Sequence, residues 1–348
     1  MALIRRQNSQ VRVLIGVIVG LLFFLWQTGK LSSCVTPRPE TIPGPSHSGR
    51  HHDLPCRNLP GANDTVVVVK TGSTELKDKL PIHFSTTLRC YPNYLLISDH
   101  EEYFQGERII DPLEDVSLKI REEHPDFLLH RRLKQMGRQA LAPDELHGNA
   151  LSADAWTGHI DNPGWKLDKW KFFPMAKRTL QEFPDKKWYV FAEADSYILW
   201  ASLLQFLKAL DPSKPHYTGN QMAIGEDLFA HGGSVFVASR PAMEKVVEHY
   251  EKNKQSIEEF TDRHWAGDCI LGKGFRESGT PFTYAWPVLQ TDDPGTIPYT
   301  QPDGSLNHDV KKRPWCYPTV SYHHITAEVM EDLWKFEQQW IGTKDTVS

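Results

Sequence analysis

The chain has 348 residues, 40% of them hydrophobic and 24% charged, enough to bury a sizeable core in one large domain or two ordinary ones. That composition excludes a disordered chain, a collagen and a disulfide-knit mini-protein. The net charge of −5 argues against a general nucleic-acid binder, although residues 1–62 carry +5 and the rest carry −10.

Arg5, Arg6 and Arg12 precede an apolar run from Val13 to Trp26. Its 14 residues rise ~21 Å as a helix, short of a ~30 Å bilayer core. Residues 27–29 and a snorkelling Arg12 extend it. We expect a cytosolic tail over 1–12 and a transmembrane signal anchor over 13–29. The positive-inside rule then makes a type II topology, with the rest of the chain in the lumen of the Golgi or endoplasmic reticulum. A cleaved or uncleaved signal peptide shares this layout, but Trp26 to Lys30 is a poor cleavage site. Residues 30–62, rich in proline, read as an extended stem. Asn63-Asp-Thr65 is an N-glycosylation sequon at its end.

None of the five cysteines forms a Cys-x-x-Cys pair, so zinc and thioredoxin chemistry have no support. In an oxidising lumen we expect bridges Cys56–Cys90 and Cys269–Cys316, although spacing does not determine connectivity and free thiols are the alternative.

Thr65 to Lys70 is a β-branched run, apolar through its four valines, as in a buried parallel strand. A helix is expected over 76–89, with Leu80, Phe84 and Leu88 four residues apart, and a second strand over 94–98. That strand–helix–strand order implies a parallel sheet. Residues 100–165 read as irregular, with helical pieces near 127–139. A long helix is expected over 167–183, with a possible kink at Pro174, leading to a third buried strand over 188–192. Further expectations are a helix over 201–210, a strand near 216–218, a strand over 233–238 and a helix from Pro241 capped by Ser239. A short helix over 267–274, strands over 282–286 and 319–323, and a final helix capped by Thr326 complete one α/β domain over 63–348.

The strongest chemical feature is Trp188 to Tyr197, where a buried strand delivers Glu193 and Asp195 at its C-terminal end. Ligands bind at that edge of open α/β sheets. Two acids at i and i+2 share a side of an extended segment and repel unless a cation lies between them, so a divalent metal is a natural third party. Capping of the following turn is the structural alternative.

The chain resembles glycosyltransferase family 31, the group of Fringe and the core 1 β1,3-galactosyltransferases. Val67 to Thr71 is similar to its opening strand, and Thr87 to Cys90 followed by Leu96 to Asp99 keeps the Fringe-like order. Trp188 to Tyr197 resembles its Asp-x-Asp segment, Phe229 to Ser239 its Gly-Gly-Ala-Gly strand, Gly267 to Gly272 its later helix start, and Val320 to His323 its Ser-Phe-His. The segment 164–171 and the 100–165 insert look like a divergent, fungal-type branch.

The resemblance implies a GT-A fold, a UDP-sugar donor, manganese, and inverting transfer to a hydroxyl of a glycan or glycoprotein acceptor. It implies Asp195, Glu193 and His323 as metal-site residues, with His324 the ligand if the register is off by one. Asp268 becomes the catalytic base; the alternative is a helix cap. Thr71, Asp99 and Glu193 become donor contacts. Lys169 and Lys171 are candidates for the diphosphate, against a solvated helix face. Gly232 and Gly233 would let backbone approach the substrates. Glu193 for Asp, and Val235 in the Gly-rich strand, depart from the family pattern. A catalytically decayed carbohydrate-binding or scaffold protein of the same fold is the alternative function.

Overall fold

Strand β1 (Thr65–Lys70) is buried along its whole length, and its alternate residues feed two different cores. Val67 and Val69 join one face with Leu96, Val190, Ala192 and Val237, while Val66 and Val68 join the other with Ile97, Phe191 and Phe236. A strand with no polar face needs cover on both sides, and helices provide it. The computed structural model describes residues 54–146, 162–297 and 316–344, all within one compact unit, Gly49–Ser348. The expected tail over 1–12 and anchor over 13–29 lie outside the described residues. Among the described residues no helix is long and apolar enough to cross a membrane.

The result is a mixed α/β fold. Its eight-stranded sheet also contains β2 (Tyr94–Ile97), β3 (Glu102–Phe104), β4 (Glu107–Ile110), β5 (Trp188–Glu193), β7 (Tyr217–Gly219), β10 (Phe236–Ser239) and β11 (Phe282–Tyr284), in the order β11-β7-β10-β5-β1-β2-β4-β3. Pairings β1–β2, β1–β5, β2–β4 and β7–β11 are parallel; β10 runs antiparallel to both its neighbours, and β3 to β4. Two small sheets stand beside it: β6 (Tyr197–Ile198) with β12 (Ser321–Tyr322), and the hairpin β8 (Gln221–Ile224) with β9 (Asp227–Ala230).

The expected helix over 76–89 is broken into α1 (Leu76–Lys79), α2 (Pro81–Ser85) and a 3-10 turn at Thr87–Arg89. Pro81 has no N–H to continue the first segment and starts the second instead. The 100–165 region holds the β3–β4 hairpin, α3 (Leu118–Glu123) and α4 (Leu128–Met136). Helix α5 (Pro163–Glu182) starts earlier than expected, because the Asn162 side chain accepts from the N–H groups of Gly164 and Trp165. Residues 147–161 of the expected insert lie outside the described residues. Helix α6 (Trp200–Lys208) covers the Val67 face, whereas α5, α7 (Arg240–Arg263) and α8 (Gly267–Glu277) cover the Val66 face.

Residues 54–62 belong to the domain rather than to an extended stem. Cys56 and Ala62 are buried in the Val67-face core, and the Trp200 Nε1–H donates to the Cys56 carbonyl at 3.0 Å. Cys56 and Cys90 form a disulfide. The expected Cys269–Cys316 bridge is absent: Cys269 is buried in α8 against Phe229 and Ala266, while Cys316 is exposed. Asn63 of the sequon is exposed.

The last helix, α9 (Ala327–Lys344), is tied to the domain by Glu337. Its buried carboxylate accepts from the Tyr197 hydroxyl and the Ala201 N–H, both at 2.9 Å. Burial outweighs those bonds and raises its pKa from 4.5 to about 7. The folded state therefore keeps a proton that the unfolded chain gives up near pH 4.5, so this contribution is full below pH 4.5 and lost as pH rises through 7. Glu337→Gln should gain on wild type by about 3 kcal/mol as chemical denaturation is moved from pH 4.5 to 8.

Candidate functional site

Three parallel strands end side by side, and each contributes a charged or polar group just at or beyond its last residue. Lys70 ends β1 in direct register with Glu193, which ends β5, and Asp99 follows β2. Asp195 lies two residues past Glu193. The fourth contribution comes from far along the chain: Tyr322 of β12 pairs with Tyr197 of β6, and the Ile325 N–H donates to the Asp195 carbonyl at 2.8 Å. That short ladder carries His323 to the acids.

His323 Nε2 lies 3.3 Å from Asp195 Oδ1 and 3.8 Å from Glu193 Oε2. Each carboxylate commits its other oxygen to a lysine: Asp195 Oδ2 to Lys79 at 3.0 Å, Glu193 Oε1 to Lys70 at 2.8 Å. Lys70 is also held by Asp168 at 2.6 Å. His324 Nδ1 stands 3.9 Å from Asp195 Oδ2, with its side chain half-exposed. Burial opposes charge on both acids, but Lys79 and His323 hold Asp195 well below the carboxylate range, and Lys70 and His323 do the same for Glu193. For His323 the two carboxylates outweigh burial and raise its pKa to about 9.

These residues fit a divalent cation. Asp195 Oδ1 and both ring nitrogens of His323 are buried without a hydrogen-bond partner, and Asp195, His323 and His324 each offer a ligand atom within 4.8 Å of the others. Mixed carboxylate and imidazole donors suit manganese among other first-row metals. A second acidic group, Asp111, Glu114 and His130, already holds the ammonium of Lys134, 3.4 Å from Asp111 Oδ2.

Asp268, in the first turn of α8, sits on the other side of a two-residue glycine step. Its Oδ2 accepts from the Gly232 N–H and its Oδ1 from the Cys269 N–H, both at 2.8 Å. Burial, only partly offset by those bonds, raises its pKa to about 6. The glycines serve close packing here. A Cβ on Gly232 would lie 2.8 Å from Asp268 Cβ, and one on Gly233 would lie 2.6 Å from two atoms of the His323 ring. The Ser196 hydroxyl donates to the Gly233 carbonyl and fixes the step. Val235, buried at its end, is held at φ +90°, where a β-branched residue costs on the order of 1–3 kcal/mol.

Asp99 is fully buried; its Oδ1 accepts from the Ser73 N–H at 2.5 Å, while its Oδ2 and the Ser73 hydroxyl have no partner. Thr71 donates to Glu75 at 3.4 Å. Lys171 is not on a solvated face: it is buried and donates to the Thr71 carbonyl at 3.0 Å, bracing that loop from below. Lys169 turns elsewhere, to Asp126 at 3.0 Å and the Asp262 carbonyl at 3.2 Å, so it does not face the acids.

Sequence reasoning missed Lys70, Lys79, Asp168 and His231. A lysine closing an otherwise apolar strand was a readable signal for Lys70. The others sit on helices or a loop and meet the site only through tertiary packing. The His231 ring lies 5.3 Å from that of His323, and burial, followed by the charge on His323, lowers its pKa to about 4, so it is a neutral wall.

No protein-family model and no curated protein sequence matches the chain. Among solved structures it is similar to the crystal structure of a glycosyltransferase involved in the glycosylation of the major capsid of PBCV-1. The identity is 12% and the TM-score 0.32, over 77% of this chain and 98% of that one. Likeness at that level is too low to transfer any residue role.

Gly233→Ala tests whether His323 must stand where it does. The added methyl should displace the ring and weaken the binding of a divalent cation by about 10–100-fold, read with manganese as the probe as loss of any rise in melting temperature that it gives the wild type. An unchanged rise would mean that His323 is not a ligand.

Proposed function

We propose that the protein is a metal-dependent inverting glycosyltransferase of the GT-A type, similar to family 31. It would move a hexose or N-acetylhexosamine from a UDP-sugar to a hydroxyl of a glycan or glycoprotein. The observation that carries this reading is the meeting of Asp195, Glu193 and His323 around orphaned donor atoms, one glycine step from a carboxylate of raised pKa. Asp195 and His323 would hold the metal, with Glu193 behind them, and a bound manganese ion would offset the charge that a departing diphosphate gathers.

The chain's own residues account for the rest. Asp268 is a base matched to near-neutral pH: above about pH 6 it is ionised and accepts the acceptor hydroxyl's proton. The hydroxyl oxygen then bonds to the anomeric carbon as the bond from that carbon to the diphosphate breaks, and UDP leaves. One carboxylate suffices for direct inversion, whereas a glycosidase needs two placed about the scissile bond. Gly232 and Cys269 aim Asp268 through their N–H groups. Asp99 and Ser73, each with an unused buried oxygen, are suited to the hydroxyl and amide groups of a nucleoside. Lys171 holds the Thr71 loop that would face it.

The exposed Asn63 suits a lumenal, glycosylated protein. With the basic and apolar N-terminal pattern, it supports a type II protein of the Golgi or endoplasmic reticulum membrane.

With manganese and a panel of UDP-sugars, transfer or donor hydrolysis should rise tenfold per pH unit up to about pH 6 and level off above it, since the base works ionised. Asp268→Asn should lower kcat by about 10²–10⁴ and abolish that limb. A variant with wild-type turnover would remove Asp268 from the chemistry.

A further inference from the structure

A cavity of about 290 Å³ opens between the start of α5 and the α7–α8 junction, lined in part by Trp165, Trp265, Asp126, Lys169, Asp262 and His264. Of the residues expected above at the metal, donor or base, it takes in only Lys169, which turns away from the acids. Along the chain, its wall lies close to the base. Trp265 precedes Asp268 by three residues, and a Cβ on the intervening Gly267 would lie 2.7 Å from the Lys169 Cα on the cavity wall.

The walls combine two kinds of group. Trp265 is a large apolar side chain left 53% exposed, its indole lying parallel to the His264 ring at 6.3 Å, with that ring in turn stacked on Phe260 at 5.4 Å. The polar groups are held in place by the protein. Asp126 accepts from the Trp170 indole N–H at 2.9 Å and pairs with Lys169 at 3.0 Å, and Asp262 Oδ1 is bonded to His124 at 2.7 Å. Across the whole lining three cations, Lys166, Lys169 and Arg263, face two carboxylates, so the field is close to balanced and does not select an anion.

We infer that this cavity is the acceptor subsite, and that it takes a neutral pyranose ring stacked on Trp265. A pyranose presents a face of C–H bonds, weakly positive, to the negative face of an indole. Its equatorial hydroxyls point outward to fixed carboxylate and ammonium groups. The volume lies at the lower end for small-molecule sites and suits one sugar unit, not a longer glycan. With Trp265 three residues before Asp268, a hydroxyl of that sugar would be directed toward the base. This inference rests on the transferase reading for its chemistry but not for its binding, so the two can fail separately.

Saturation-transfer NMR on the full chain, with methyl glycosides of galactose, glucose, mannose and N-acetylglucosamine as probes, tests it. At least one should bind wild type with transfer concentrated on ring C–H protons. Trp265→Ala, folded by its melting curve, should bind about tenfold more weakly, while Trp265→Tyr, which keeps an aromatic face, stays within about threefold. Asp195→Ala should bind the sugar as wild type does, because the cavity lacks the metal residues. Binding by Trp265→Ala equal to wild type, or no binding of any glycoside by wild type, would overturn the inference. Donor hydrolysis that ignores Asp195→Ala would instead sink the transferase reading and leave the sugar site standing.

Discussion

The site is organised by the repulsion between two carboxylates, Glu193 and Asp195, placed two residues apart at the rim of the sheet. Neither can stay ionised in a half-buried position without positive charge nearby. The fold answers with two lysines, Lys70 on Glu193 and Lys79 on Asp195, each taking one oxygen only. The two remaining oxygens converge on His323. An arrangement meant solely to neutralise the acids would have used all four oxygens. Leaving Asp195 Oδ1 and both His323 nitrogens without a hydrogen bond is costly in a buried setting, and a divalent cation that displaces the imidazole's proton and binds between them removes the cost.

Much of the surrounding architecture follows from keeping His323 in that position. The β6–β12 ladder is two residues long and cannot hold the ring alone. The glycine at 233, the Ser196 bond to its carbonyl and the neutral His231 close around it. The strained Val235 marks where the chain leaves this step and enters β10. Strain of that kind persists only where the neighbours over-determine the backbone. Here they include Asp268 on one side and His323 on the other, so the two are coupled through four consecutive residues, 232–235.

The central strands were legible because a strand buried on both faces cannot hide its composition: Thr65–Lys70 and Trp188–Glu193 are almost wholly apolar up to their charged last residues. Asp195 stood out for its place after a strand, whereas Asp268 came only from the family resemblance. The two hairpins were not legible. Gln105 and Gly106 form a two-residue turn with both φ positive, and Gly225 opens another, but their strands are short and mixed in polarity. Lys79 and Asp168 carried no signal at all, since a charged residue on a helix reads as solvated until packing buries it. The periodicity of Leu80, Phe84 and Leu88 was real, yet Pro81 divides the segment that carries it. Cys269 shows the limit of pairing cysteines by expectation: it lies in the core of α8, whereas Cys316 faces solvent.

The account stands on one shared cation. Titration calorimetry of manganese into the full chain, with UDP present, measures it directly. One ion should bind wild type, and Asp195→Ala should lose that binding while its melting curve still shows a folded domain. Equal manganese affinity in the variant, or none in wild type, would contradict the claim.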